Sequence, residues 1–290
     1  MSYYEVLYHC LFIFGIMDEK LFIGRVYIMS IINVEMFSKS LVRPVSFNMF
    51  VPNGLRPEVE TEKNPNYKRP CKTAFVLHGF TGWGKGWDAI YELGQQHNLA
   101  LVFPSAENSF YLDSESSTGK YGTFVGVELV EYIRNTFGLC KKKEDTFITG
   151  LSMGGFGALH VGLSNPDTFS KIAALSSALI IHDVSKGKPD DENGIANYHY
   201  FLQVFGDVSK VVQSDKNPET LITKMLQDKR EIPEIYMACG TEDFLITQNR
   251  MFHKFLNENN VPVTYIECEG NHDMVFWNEY FGKSFEWFIN

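Results

Sequence analysis

With 290 residues, 44% hydrophobic and 21% charged, the chain has the length for one large α/β core, or two small ones, and an ordinary globular composition. Its formal net charge of −9 excludes the basic surface a nucleic-acid partner needs. The one basic run, Lys141–Lys142–Lys143, is followed at once by Glu144 and Asp145 and reads as a solvated turn.

The five cysteines, Cys10, Cys71, Cys140, Cys239 and Cys268, are odd in number and lack C-x-x-C or zinc-ligand spacing, so free thiols in a reducing compartment are expected. Residues 1–17 are rich in aromatic and aliphatic side chains, most of all over Val6–Met17. A secretory signal has basic residues before such a stretch and small ones after it. Here Glu5 precedes it, His9 interrupts it and Asp18–Glu19–Lys20 follows. It is also too short to span a bilayer. The expectation is a cytoplasmic protein with no membrane partner.

From there the chain alternates apolar, β-branched runs with longer helical ones, and has no internal repeat. Val45–Val51 is a strand ending at the turn Pro52–Asn53–Gly54, and the polar residues 56–72 read as a connection. Thr73–Leu77 is a buried strand running into His78–Gly79, Lys85–Gln96 a helix, and Leu99–Phe103 a strand stopped by Pro104. A loop rich in serine and aromatics covers 105–120. Val125, Leu129, Ile133 and Phe137 share one face of a helix over 121–137, which Gly138 ends. Strands follow at Thr146–Thr149, Lys171–Leu175, Glu234–Ala238 and Pro262–Glu267. Helices are expected at Met153–Leu163, Glu219–Asp228, Gln248–Glu258 and Asp273–Phe288. The pattern loosens over 181–227, a candidate lid-like insertion. Strands alternating with helices in this way predict a mostly parallel sheet covered on both faces, with its site beyond the carboxyl ends of the strands.

The chemistry concentrates at those ends. Gly150–Leu151–Ser152–Met153–Gly154 fits G-x-S-x-G, between a strand and a helix, where a tight turn lifts the serine hydroxyl above the sheet. The alternative is an ordinary N-cap serine on a glycine-rich helix. A serine hydroxyl needs a base. His272, in Gly270–Asn271–His272–Asp273, follows a strand and precedes the last helix, unlike the other histidines. Asp243, after the strand Glu234–Ala238, is the candidate to orient it, with Glu242 as runner-up; Asp273 adjoins His272 too closely in sequence. The order Ser, Asp, His is that of α/β-hydrolases. The backbone N–H groups of Met153 and of Phe80, in His78–Gly79–Phe80–Thr81–Gly82, are the expected oxyanion donors. Trp83, Trp87, Phe110, Tyr111 and Trp277 gather in the same loops and predict a mostly apolar pocket, with Gly79, Trp83 and Trp277 as candidate substrate contacts.

These motifs, with Ser176–Ser177–Ala178–Leu179, resemble the esterase D and antigen 85 group of α/β-hydrolases, nearest to the bacterial tributyrin esterases and relatives of S-formylglutathione hydrolase. The likeness runs in order over residues 30–290. It implies a carboxylesterase acting on short acyl esters (tributyrin, acetyl or aryl) through Ser152, Asp243 and His272, without metal or cofactor. Relatives also cleave acetylated sugars, feruloyl esters and the thioester of formylglutathione. Residues 1–28 have no counterpart, so the expected natural start is Met29 or a nearby methionine, and Asp113–Thr118 departs from the pattern. The same triad also serves an acyltransferase or a thioesterase, and a third reading is a catalytically silent binding module on a hydrolase scaffold. A small-molecule ester is the expected partner, and a homo-oligomer is left open.

Overall fold

In the computed structural model, which describes residues 30–52, 64–193 and 196–290, the apolar runs become strands of one sheet. The extension 1–28, the end of the Pro52–Asn53–Gly54 turn and the first part of the 56–72 connection lie outside the described residues. The strands are β1 (Ser30–Ser38), β2 (Arg43–Val51), β3 (Lys72–Leu77), β4 (Leu99–Pro104), β5 (Thr146–Leu151) and β6 (Lys171–Leu175). A two-stranded ribbon, β7 (Glu192–Asn193) with β8 (Ala196–Asn197), stands apart, and β9 (Glu234–Gly240) and β10 (Val263–Cys268) complete the main sheet.

The order across that sheet is β1-β2-β4-β3-β5-β6-β9-β10. The β1–β2 and β2–β4 pairings are antiparallel and the rest parallel. Thus β5, which carries Ser152 at its end, sits in the middle of the sheet between β3 and β6, with β9 and β10 to one side. All six residues of β4 and of β5 are buried, as expected of strands covered on both faces.

Two apolar clusters hold the layers. On one face α1 (Asp88–Gln96) and α8 (Met274–Ile289) pack Ile90, Tyr91, Phe281, Phe285 and Phe288 against Phe50, Val76 and Phe147. On the other, α2 (Leu129–Phe137), α3 (Met153–Ser164) and α7 (Ile246–Glu258) pack Leu129, Phe156, Leu159 and Phe252 against Phe75, Ile148 and Met237. Each fully buried phenylalanine contributes about 1.5–3 kcal/mol relative to exposure. The insertion folds as α4 (Ile181–Val184), the β7–β8 ribbon, α5 (Tyr198–Phe205), a 3-10 segment Val208–Gln213 and α6 (Pro218–Gln227).

Three expectations need correction. The helix expected from Lys85 begins at Asp88, because Gly86 holds φ +83 and breaks the right-handed path. The sequence reading has no strand at Ser30–Ser38, so Lys171–Leu175, fifth among the strands expected above, is the sixth in the structure. The stretch 121–137 is helical as expected, but it passes through a π-helical turn at Phe124–Glu128. That turn presents Glu128 to the β1–β2 turn, where its carboxylate accepts from Ser38 Oγ, Lys39 N and Ser40 N.

Candidate active site

Ser152 stands where β5 turns into α3, with φ 56 and ψ −120. This is a costly backbone state for a residue with a Cβ, and the surroundings enforce it. Ser152 N–H donates to Leu175 O on β6 at 2.9 Å, and Ser152 O accepts from Phe156 N at 3.1 Å and Ala178 N at 3.0 Å. The flanking glycines are obligatory in this packing. A Cβ on Gly150 would run into Gly154 O, and one on Gly154 into the carbonyl oxygens of Leu77 and His78. The elbow therefore needs glycine two residues to either side of the serine.

Two later loops meet Ser152. His272 Nε2 lies 3.0 Å from Ser152 Oγ, and His272 Nδ1 lies 2.8 Å from Asp243 Oδ2. A carboxylate only accepts, so Nδ1 carries the proton and Nε2 is left to accept from the hydroxyl. Asp243 is buried, and its other oxygen accepts from Leu245 N at 2.8 Å. Burial pushes the Asp243 carboxyl up, but hydrogen bonds from His272, Leu245 N–H and the Ser176 hydroxyl outweigh it and hold the group below its ordinary range.

The neighbouring acids do other work. Glu242 accepts from Gly270 N at 2.6 Å and from Thr241 Oγ1, shaping the two loops from outside. Asp273 caps α8, its Oδ1 accepting from Val275 N and Phe276 N. The imidazole of His272 is walled by Phe244 at 4.4 Å between ring centres and by Trp277, edge-on, at 4.8 Å. Trp277 Nε1 donates in turn to Ser176 Oγ at 3.0 Å. In the sequence Ser176 stands out only as part of the Ser176–Ser177–Ala178–Leu179 motif. Its role as a link between Trp277 and Asp243 has no local signal.

The loop after β3 lies against the serine: a Cβ on Gly79 would stand 3.4 Å from Ser152 Cβ. Gly79 O accepts from His78 Nδ1 at 2.8 Å and from Gly82 N at 3.0 Å. In a trans peptide the carbonyl and the following N–H point opposite ways, so these two bonds also aim Phe80 N–H. His78 Nε2 accepts from Ala106 N at 3.0 Å, so the ring is neutral with its proton on Nδ1. Burial holds the His78 pKa below its ordinary value, against the bond to Gly79 O. Met153 N–H, at the first turn of α3, has no partner within the helix, and among the described residues neither it nor Phe80 N–H donates to another group.

Ser152 and His272 open into a cavity of about 820 Å³ lined largely by apolar groups, among them Phe80, Trp83, Phe110, Leu151, Met153, Ile180, Tyr200, Phe201, Phe244 and Trp277. Gly79, Trp83 and Trp277 all line it; Trp83 lies at its rim, 62% exposed. Trp87 also borders the cavity but stacks on Phe103 in the core, and Tyr111 is fully buried, its hydroxyl donating to His78 O at 2.9 Å. The insertion supplies Tyr200 and Phe201. Asp113–Thr118 lies away from Ser152: Asp113 caps Thr123, and Ser114, Glu115, Ser116 and Thr118 border a separate cavity of about 570 Å³ beside Arg43 and Tyr121.

An eight-stranded, mostly parallel sheet with a strained serine at its central elbow and a Ser–His–Asp hydrogen-bond chain above it defines a serine hydrolase of the α/β-hydrolase fold. The chain belongs to the esterase family described as "Putative esterase", whose model matches residues 38–288. An acetyl esterase of Caldicellulosiruptor saccharolyticus is 42% identical over 262 residues, 89% of this chain and 98% of its own length. The mycobacterial diacylglycerol acyltransferase/mycolyltransferase Ag85B of Mycobacterium avium is 30% identical over 123 residues, which is 38% of this chain and 36% of that protein. Among solved structures, the Staphylococcus aureus fluorophosphonate-binding serine hydrolase FphF superposes with a TM-score of 0.76 at 25% identity, covering 90% of this chain and 99% of its own.

Proposed function

We propose that the chain is a serine carboxylesterase of short acyl esters, acetyl esters first among them, with Ser152 as nucleophile, His272 as general base and Asp243 as the carboxylate that orients it. The observation that carries this reading is the unbroken hydrogen-bond chain from Ser152 Oγ through His272 to Asp243 at 3.0 and 2.8 Å. Ser152 attacks the ester carbonyl as His272 takes its proton. The oxyanion forms against the N–H groups of Phe80 and Met153, and His272 returns the proton to the departing alcohol. Water, activated by the same imidazole, then releases the acid. Each N–H donor of this kind lowers the barrier by ~3 kcal/mol.

The apolar cavity supports an uncharged acyl or aryl group, with Gly79, Trp83 and Trp277 in contact with it. The 42% identity to an acetyl esterase over nearly its whole length supports a small acyl group. Among the described residues no helix is long and apolar enough to cross a membrane. The free thiols of Cys71, Cys140, Cys239 and Cys268 support the cytoplasm as the compartment. Residues 29–290 form the esterase unit in this reading, with 181–227 inserted as a wall of the cavity.

The test is a series of p-nitrophenyl esters of rising chain length with wild type and Ser152→Ala. Acetate and butyrate are expected to turn over fastest, and Ser152→Ala to be inactive while melting like wild type. Full activity of Ser152→Ala contradicts the proposal. Running the series with added alcohols distinguishes hydrolysis from acyl transfer, since only transfer yields the new ester.

A further inference from the structure

The segment that follows β4 holds the loop after β3 at three points. Ser105 Oγ accepts from Gly84 N at 3.1 Å, Ala106 N donates to His78 Nε2 at 3.0 Å, and Asn108 Oδ1 accepts from Thr81 N at 2.8 Å. The third contact falls directly after Phe80. Thr81 holds φ +62, in the left-handed region that a β-branched residue occupies only under constraint. Its N–H belongs to the Phe80–Thr81 peptide plane, while the Gly79–Phe80 plane is held by the two donors on Gly79 O. Phe80 is thereby clamped between two anchored planes. With Asn108 removed, the Phe80–Thr81 plane loses its own anchor and only the Gly82 N bond to Gly79 O holds the turn against the strain at Thr81, so a relaxation of Thr81 shifts the turn and carries Phe80 N–H out of line.

The same asparagine reaches the insertion. Asn108 O accepts from Tyr200 Oη at 2.6 Å, and the Tyr200 ring on α5 meets the Phe80 ring edge-on at 5.7 Å. Tyr200 also lines the cavity in front of Ser152. Hydroxyl, asparagine and peptide thus make a relay from the insertion helix to the oxyanion loop, closed on its other side by the two rings. We propose that Asn108 is a positioning residue for the oxyanion hole, and that through it Tyr200 fixes Phe80 N–H and the cavity wall as one unit. The inference rests on the reading of Phe80 N–H as an oxyanion donor.

The experiment measures kcat and KM for p-nitrophenyl acetate, and inhibition by butylboronic acid, in Asn108→Ala, Tyr200→Phe and Ser152→Ala. A misaimed donor is felt only when the tetrahedral anion forms, so Asn108→Ala is expected to lose about tenfold or more in kcat with KM within about twofold of wild type. Affinity for the boronate, which forms a tetrahedral anion on the serine, is expected to fall by the same factor. Tyr200→Phe keeps the ring contact and loses the hydroxyl, and is expected to lose about threefold in kcat, again at constant KM. Wild-type kcat in Asn108→Ala, or a loss carried wholly by KM, overturns the proposal. If Asn108→Ala does not accumulate as folded protein, Tyr200→Phe decides alone, and wild-type kcat there overturns it. Turnover by Ser152→Ala would remove the reading beneath. An inactive Ser152→Ala beside a fully active Asn108→Ala would remove this proposal only.

Discussion

Replacing Asp243 with Asn keeps the size of the side chain and removes its charge at a buried position of the site. One carboxylate oxygen accepts from Leu245 N at 2.8 Å and the other faces His272 Nδ1 at 2.8 Å. In the Asp243→Asn variant the amide oxygen must face the Leu245 N–H, since an NH2 group there would oppose a donor. The amide NH2 then points at His272 Nδ1, which can accept it only by moving the ring proton to Nε2. In that tautomer Nε2–H donates toward Ser152 Oγ across the 3.0 Å contact and cannot take its proton. A base locked in the wrong tautomer costs about 10⁴ in kcat, or about 5–6 kcal/mol of barrier. The assay is steady-state hydrolysis of p-nitrophenyl acetate at neutral pH, with a thermal melt to show that the variant is folded. A folded Asp243→Asn with kcat within about tenfold of wild type would rule out this role for Asp243.

Other perturbations have equally definite outcomes. Gly154→Ala puts a methyl group into Leu77 O and within 2.7 Å of His78 O, both backbone atoms that cannot rotate away. A loss of about 3 kcal/mol or more is expected, read as a lower melting temperature or absence of folded protein, and an unchanged melt contradicts it. Trp277→Phe keeps an aromatic edge toward His272 but removes the donor to Ser176 Oγ at 3.0 Å. One such bond is worth about 1 kcal/mol, so kcat is expected to fall about fivefold. Burial lowers the pKa of His78, and that of His160 to about 4, from 6.5 in the unfolded chain. Between those values the unfolded chain binds more protons than the folded one, so stability is present above pH 6.5 and is lost as pH falls toward 4. Melting temperatures across this range test it, and a melting temperature that rises toward pH 4 is the contrary result.

Most of the candidate site is legible in the sequence because its residues sit at strand ends, where local pattern is strongest. Gly150 and Gly154 announce the elbow because any other residue there collides with backbone. Gly270 and Asp273 bracket His272 because the loop needs a positive φ at one end and a helix cap at the other. The strand β1 is hidden in the sequence for a physical reason. It is an edge strand whose inner side, Ile32, Val34 and Met36, is only half-buried, while Ile31 and Phe37, 50% and 61% exposed, lie on the other side and blur the period of two. The π-helical turn at Phe124–Glu128 was equally silent, because spacings of four residues suit an α-helix through the whole stretch. Ser176, Asn108 and Tyr200 act through atoms brought together from distant parts of the chain. A serine in a helix-free stretch, an asparagine in a polar loop and a tyrosine on a short helix carry no sign of their partners until the fold joins them.

In the proposed reaction Ser152 carries the acyl group during turnover. Acid quenching of the enzyme during rapid mixing with p-nitrophenyl acetate, followed by peptide mass analysis, tests it directly. A gain of one acetyl group is expected on the peptide containing Ser152, absent from Ser152→Ala and accumulating when deacylation is slowed. Turnover with no acyl group on that peptide, or with the acetyl group on another residue, would contradict it.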